Sequence, residues 1–291
     1  MERILIISLS NIGDAVMTTP VLQYLHKTHK NCNFDIVCDL KSIEIFKSCP
    51  YVNNIYIKNK QEGLFGILKL IKILRKNKYE IAVDLRTDLL LYFIKAKIKY
   101  FKFNDKEVHS VIKHFLSLKE DLGKLPDTKV WIPRSSKINA KKLLEKSKKI
   151  IALGIGSNAN HKLWPVDNYL ELVGLLKDRF DTCVLLGDKR DFQLANKFVK
   201  KAKIKTLNFC GSLSLMDSAA ILSYSDYFIG NDSGLGHIAS ALKIPSFTIF
   251  GRENSSRYHP WGKKAQWYQH PDKNILSIEP SLIYKKIITS L

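Results

Sequence analysis

Short apolar runs alternate with amphipathic stretches along the whole chain. In the first half, Arg3–Leu9, Asn33–Cys38, Asn54–Ile57, Glu80–Asp84 and Lys99–Phe103 are β-branched or aromatic-rich and short enough for strands. Between them Thr18–Thr28, Gly63–Lys76 and Asp88–Ile98 space their apolar residues as helices do, and Ile112–Leu118 reads as a further helix. Such β–α alternation predicts parallel sheets covered on both faces. Periodicity lapses at Leu122–Pro133, where Gly123, Pro126 and Pro133 fall, and a domain boundary is placed there. The alternation then resumes through strands at Ile150–Leu153, Thr182–Leu186, Thr206–Phe209, Tyr227–Ile229 and Ser246–Phe250. Helices are predicted over Ser135–Lys148, Tyr169–Lys177, Asp191–Lys201 and Leu215–Leu222, with another opening near Ser233. The expected architecture is α/β, with two doubly wound Rossmann-like domains facing across a cleft, 1–133 and 134–279. A terminal helix, 280–291, is placed to pack back on the first domain.

Composition bounds this picture. At 291 residues the chain is comfortable for two domains, and 45% apolar with 25% charged residues is the balance of a soluble globular protein. No run approaches the roughly 20 apolar residues that span a membrane, and the N-terminus lacks the pattern of a secretory signal. Five cysteines, odd in number and without a CxxC pair, predict buried free thiols and a cytoplasmic location. The net charge of +20 admits two readings. Lysine outnumbers arginine, and AT-rich codons produce the same bias, so part of the charge belongs to solvated faces. The functional reading is attraction to nucleic acid, a membrane surface or a phosphorylated substrate. No nucleic-acid-binding module is present, so nucleic acid is not an expected partner, and an anionic membrane face or acidic glycolipid stays open.

The candidate chemistry lies in turns at strand ends. Ser10–Pro20 places Ser10, Asn11 and Gly13 before the carboxylate Asp14. A phosphate cradle wants backbone N–H groups and little negative charge, so Asp14 points to proton transfer; the alternative is a helix cap. Gly230–Leu242 opens a helix in which Ser233, Gly234 and Gly236 leave N–H groups to approach an anion at its positive end. There Asp232 suits sugar hydroxyls or a cap, with His237 about one turn in. Gly154–Pro165 brings hydroxyl and amide side chains and Lys162, which is placed to neutralise a phosphate leaving group or is simply one exposed lysine among many. Leu185–Asp191 ends in Asp191, a ribose partner or a cap. Three such turns in one half predict a nucleotide site. Asp84-Leu85-Arg86-Thr87-Asp88 is a poor metal motif, and neither metal nor cofactor is expected.

At Ser10–Pro20, Gly154–Tyr169 and Gly230–Leu242 the chain resembles the bacterial ADP-heptose:lipopolysaccharide heptosyltransferases, glycosyltransferase family 9, and the likeness runs almost end to end. The resemblance implies the GT-B fold and an inverting transfer of heptose from ADP-heptose to a hydroxyl of lipopolysaccharide or lipooligosaccharide core. It implies Asp14 as general base, with Ser10, Asn11 and Gly13 on the acceptor side. Lys162 is implied on the donor phosphates with Ser157 and Asn158 beside it, Asp191 on the ribose and Leu213 against adenine. Asp232, Ser233, Gly234 and His237 would grip phosphate and heptose. Ser8 stands where members often carry Lys or Arg, Ser233 where Thr is usual, and the acceptor-binding first domain is short. The implied partners are the nucleotide-sugar donor, an anionic glycolipid acceptor and, peripherally, the inner membrane. Lys95, Lys97, Lys102, Lys106, Lys113, His109 and His114 are candidates for the acceptor side, or belong to solvated faces. Two other readings stand beside this one. The first is a GT-B enzyme with another nucleotide sugar or a non-lipopolysaccharide acceptor; the second is a non-catalytic nucleotide-sugar-binding protein.

Overall fold

The computed structural model describes residues 2–86 and 89–289; Thr87 and Asp88, which end the weighed metal motif, lie outside the described residues. The chain divides into two compact units, Met1–Trp131 and Ile132–Leu291.

The first unit runs β1 (Arg3–Ile7), α1 (Ile12–Thr28), β2 (Asn33–Cys38), α2 (Ile43–Lys47), β3 (Val52–Ile57), α3 (Gly63–Leu74), β4 (Tyr79–Asp84), β5 (Ala96–Phe101) and α4 (Ser110–Leu116). Its strands form one parallel sheet in the order β3-β2-β1-β4-β5. In β1, Ile4 lies beside Phe34 of β2 and Ile81 of β4, and Ile4–Ile7 are buried. A central parallel strand is covered on both faces, which is why it reads as an unbroken apolar run. The edge strand β5 instead interleaves Lys97 and Lys99 with its apolar residues, and charge on an edge discourages further pairing.

The second unit runs α5 (Arg134–Leu143), β6 (Ile150–Gly154), α6 (Val166–Leu175), β7 (Thr182–Leu185), α7 (Phe192–Lys201), β8 (Lys205–Asn208), α8 (Leu215–Ser223), β9 (Tyr227–Asn231), α9 (Gly234–Ala241), β10 (Ser246–Phe250), α10 (Ser255–Tyr258), β11 (Ala265–Gln269) and α11 (Pro280–Ile288). Its parallel sheet has the order β11-β10-β9-β6-β7-β8. Ile151, Leu153, Phe198, Tyr227 and Ile249 form its core.

Within the second unit α11 packs on α6, and Ile283 and Ile287 are wholly buried in that unit's core. Two expectations need correction. Within the predicted helix Asp88–Ile98, the described residues form a 3-10 turn, Leu90–Phe93, followed by β5. Leu90, Leu91 and Ile94 mimic helical spacing because all three turn into the core beside Leu70 and Leu74. The edge strand β11 was not expected after Ser246–Phe250, because Ala-Gln-Trp-Tyr-Gln is polar and half-exposed.

The five cysteines are free thiols, four of them buried. Among the described residues no helix is long and apolar enough to cross a membrane.

Both sheets reverse direction beside their first strand, between β1 and β4 in one unit and between β6 and β9 in the other. At such a reversal the loops leaving the carboxyl ends of adjacent strands diverge and open a crevice, the usual ligand position in a doubly wound sheet.

Candidate functional site

In the first unit that position belongs to the loop from β1 into α1. The helix begins at Ile12 rather than Thr18, so Asp14 lies in its first turn, with Asn11 at the N-cap. Asn11 makes no side-chain cap bond; its Nδ2 donates instead to Asp14 Oδ2 at 2.9 Å. Asp14 is therefore not the N-cap residue. It is a half-buried carboxylate oriented by its neighbour, at the end of a helix dipole that favours negative charge. Ser10 and Gly13 are half-buried around it and Asn11 is exposed.

Sequence explains why α1 holds still. Pro20 lies inside the helix and has no N–H for the Val16 carbonyl. Thr19 Oγ1 donates to that carbonyl at 2.7 Å and accepts the Lys129 N–H at 3.0 Å. One residue earlier Thr18 Oγ1 donates to the Ala15 carbonyl, which leaves Ser8 as the donor in the 2.9 Å bond between their hydroxyls. Ser8 is thus committed to anchoring β1 to α1. On the other side of the reversal Asp84 Oδ1 accepts the Arg86 N–H at 2.8 Å.

The suggested acceptor-side cations do not form one group. His109 Nδ1 accepts the Val111 N–H and caps α4, while Lys113 and His114 are buried. Lys102 is half-buried, Lys106 is exposed, and Lys95 and Lys97 stand at the amino end of β5. Lys97 is paired with Glu80 at 2.7 Å.

In the second unit the loops leaving β6, β9 and β10 come together. Lys162 Nζ donates to Asp232 Oδ2 at 2.7 Å across the β6/β9 reversal, and Glu253, beyond β10, brings a second carboxylate to 3.4 Å. His161 Nε2 lies 3.5 Å from the same Glu253 oxygen. Burial works against the Lys162 ammonium, but the bond to Asp232 and the charges of Asp232 and Glu253 outweigh it and hold its pKa above the ordinary value. Lys162 is a fixed cation here.

Asn231 sets that geometry. Wholly buried at the end of β9, its Oδ1 accepts from Trp164 N (3.1 Å) and Tyr169 OH (2.9 Å), and its Nδ2 donates to Ile155 O at 2.8 Å. Trp164 Nε1 in turn donates to Ile278 O at 2.9 Å. Both ends of the Lys162 loop are thereby pinned to β9.

Directly after Asn231 come Asp232 and Ser233, the N-cap of α9. Ser233 makes no cap bond, and its buried Oγ has no hydrogen-bond partner among the described residues. A buried hydroxyl without a partner at a helix N-terminus is an unmet demand that an anionic ligand satisfies. Gly234 is half-buried beside it and His237 is buried one turn in.

The loop after β7 joins from the other side. Asp188 Oδ1 accepts the Arg190 N–H, and Asp191 Oδ2 accepts the Asp188 N–H at 3.0 Å, forming a capping box. Arg190 is also ion-paired with Asp188 and donates to Asn158 Oδ1 at 2.6 Å, tying this loop to the Ser157–Asn158 segment. The Asp191 carboxylate lies directly over Gly156 and Gly187: a Cβ on Gly156 would fall 2.0 Å from its carboxyl carbon. Burial, aided by the Asp188 charge, raises the Asp191 pKa, against the Asp188 N–H and the Arg190 charge. Gly211 N donates to Gly187 O at 3.0 Å and brings half-buried Leu213 to the same end of the sheet.

Lys162, Asp232, Ser233, Gly234 and His237 thus share one neighbourhood, and Asn158 and Asp191 an adjoining one. Sequence reasoning passed over Glu253, Asn231 and Arg190. Glu253 follows the carboxyl end of the strand beside β9, and that position was its available signal. Among the described residues, no three His, Cys, Asp or Glu side chains group as a metal site would require.

Comparison with known proteins identifies the family and the fold. The family model for glycosyltransferase family 9 (heptosyltransferase) matches residues 99–276. Lipooligosaccharide heptosyltransferase 2 of Campylobacter jejuni is 27% identical over 270 residues, covering 90% of this chain and 85% of that protein. The glycosyltransferase family 9 structure from Veillonella parvula superposes with a TM-score of 0.87 at 20% identity, covering 99% of this chain and 97% of that one. E. coli ADP-heptose lipopolysaccharide heptosyltransferase II gives 0.81 at 20% identity, with 100% and 98% covered. The two structures share the fold, that of the GT-B glycosyltransferases. With the family model spanning more than half its length, the chain belongs to glycosyltransferase family 9, the heptosyltransferases.

Proposed function

We propose that this enzyme transfers heptose from ADP-heptose to a hydroxyl of a lipopolysaccharide or lipooligosaccharide core, with inversion at the anomeric carbon. The observation that carries the donor half is the Lys162–Asp232 pair across the β6/β9 reversal, beside the unsatisfied Ser233 hydroxyl at the start of α9. A diphosphate there meets a fixed cation, a helix N-terminus and a hydroxyl donor. Asp232, its charge offset by Lys162, is left to hold sugar hydroxyls, with His237 beside it. Asp191 takes the ribose and Leu213 the adenine face. Names of relatives support this donor and acceptor: the Campylobacter protein is a lipooligosaccharide heptosyltransferase and the E. coli protein an ADP-heptose enzyme.

In the reaction the acceptor oxygen bonds to the anomeric carbon as the bond from that carbon to the distal phosphate oxygen breaks. The electron pair leaves with ADP, where Lys162 and the α9 N-terminus take up the charge. The hydroxyl proton passes to Asp14, which Asn11 orients. This division of labour asks for no metal. Charge complementarity between a +20 chain and an anionic glycolipid favours working at the cytoplasmic face of the inner membrane, as a peripheral visitor.

Asp14→Asn tests the assignment of the base. Turnover is expected to fall by about 10²–10⁴ while calorimetric ADP-heptose binding stays at the wild-type value. Near-normal turnover in this variant removes Asp14 from the role.

A further inference from the structure

Helix α3 carries a face that the catalytic reading does not use. Leu64, Phe65 and Leu68 are 72%, 77% and 55% exposed, although the helix buries Leu70, Ile71 and Leu74 in the core. On a wheel of 3.6 residues per turn the same outward face continues through Lys69 and Lys72, and Lys76 follows just past the helix end; all three are exposed. The face is therefore apolar in its first half and basic in its second. A soluble protein has little reason to expose three large apolar side chains on one helix unless they meet something. Beyond the basic end, a cavity of about 800 Å³ is lined by Arg3, Arg75, Lys78 and Lys95 together with Tyr92 and Phe93. Tyr92 and Phe93 are themselves 65% and 56% exposed. Glu2 and Glu80 also line the cavity, and Glu80 is held by Lys97. Cations remain in excess.

We propose that the outward face of α3, with the neighbouring basic and aromatic cavity, is the surface by which this protein docks on an anionic phospholipid bilayer. Leu64, Phe65 and Leu68 enter the headgroup–acyl boundary, and the lysines and cavity cations meet the lipid phosphates. Charge selects this occupant over a second copy of the chain, which would bring the same excess of cations and a net charge of +20 to the contact. Topology gives the surface a purpose. Because α3 leaves the carboxyl end of β3 and feeds the amino end of β4, Leu64 and Phe65 lie toward the sheet end that carries Asp14. The cavity lies at the opposite, amino end of the sheet, so it is the apolar half of the surface that holds a lipid-anchored acceptor near the end of the unit where its hydroxyl is to react. The inference rests on the proposed glycolipid acceptor.

The test is sedimentation of the full chain with vesicles of phosphatidylcholine alone and of phosphatidylcholine mixed with phosphatidylglycerol. Donor-dependent transfer to a water-soluble core oligosaccharide is read in parallel. Wild type is expected to sediment with the mixed vesicles only and to be released by high salt. The triple variant Leu64→Ser, Phe65→Ser, Leu68→Ser is expected to lose sedimentation while keeping transfer to the soluble oligosaccharide, which also shows that it folds. The variant Lys69→Gln, Lys72→Gln, Lys76→Gln is expected to bind the mixed vesicles on the order of a hundredfold more weakly, from about 1 kcal/mol per cation near the surface. Wild-type binding by either variant, equal binding to phosphatidylcholine alone, or no vesicle binding by wild type overturns the proposal. So does a dimer in solution that the serine variant disperses without any vesicle binding. Vesicle binding without transfer by wild type discards the proposed reaction and keeps the docking surface; transfer without vesicle binding does the reverse.

Discussion

At the scale of single residues, the site is held by groups whose chemistry is not catalytic. Asn231 satisfies Trp164 N, Tyr169 OH and Ile155 O at once inside the buried core. Asn231→Ala strands those three partners, and unfolding in urea is expected to show a loss of about 3 kcal/mol; a loss below about 1 kcal/mol contradicts the role. Asp191 works the other way. Its pKa is raised above the ordinary 3.8, chiefly by burial, so the folded protein favours the protonated form more than the unfolded chain does. The contribution of this group to stability is thus fully present below that ordinary value and is lost as pH rises through the folded pKa. Asp191→Asn is expected to raise the melting temperature at neutral pH, with the advantage vanishing in acid, and to weaken ADP-heptose binding. Equal melting temperatures at neutral pH count against the burial argument. Asp14, Lys162, Asp191 and Asp232 were legible because each stands in a turn at a strand end. Asn231 was not, since a buried amide serving three partners looks in sequence like any polar residue closing a strand.

At the scale of elements, legibility followed burial. The runs Ile4-Leu5-Ile6-Ile7 and Tyr227-Phe228-Ile229 announce central strands because both faces of the sheet are covered. β11 and the Leu90–Phe93 turn hid because an edge strand stays half-polar and a short turn borrows helical spacing. The start of α1 was missed for a different reason: Ile12–Met17 stood within the strand-end turn that carries Asp14, and the helix was begun only at Thr18. The structure continues the helix through Pro20 because Thr19 takes over the carbonyl bond that proline cannot make. Thr19→Val keeps the shape and removes both bonds of that hydroxyl. A destabilisation of about 1–3 kcal/mol is expected, with Asp14 chemistry impaired in proportion as the first turns of α1 loosen. An unchanged unfolding midpoint would show that Pro20 is tolerated without help.

At the scale of the whole molecule, two sheets of unrelated sequence solve one problem in the same way. Each puts its first strand at the reversal, and the proposed chemistry stands just past the end of that strand in each: Asp14 in the first turn of α1 after β1, and Lys162 in the loop after β6. The division into two α/β units was visible in the alternation of runs. The placement of α11 was not, because an amphipathic helix at the end of a chain does not state which core its apolar stripe enters. Family membership fixes the reaction class, and the donor and acceptor follow by proposal from the site and from the names of relatives. The most direct measurement is the mass of a defined core oligosaccharide after incubation with the enzyme and one nucleotide sugar at a time. A gain of one heptosyl residue with ADP-heptose, and none with ADP-glucose or with GDP- and UDP-sugars, is the predicted result. No gain with ADP-heptose, alongside transfer from another of these donors, would contradict it.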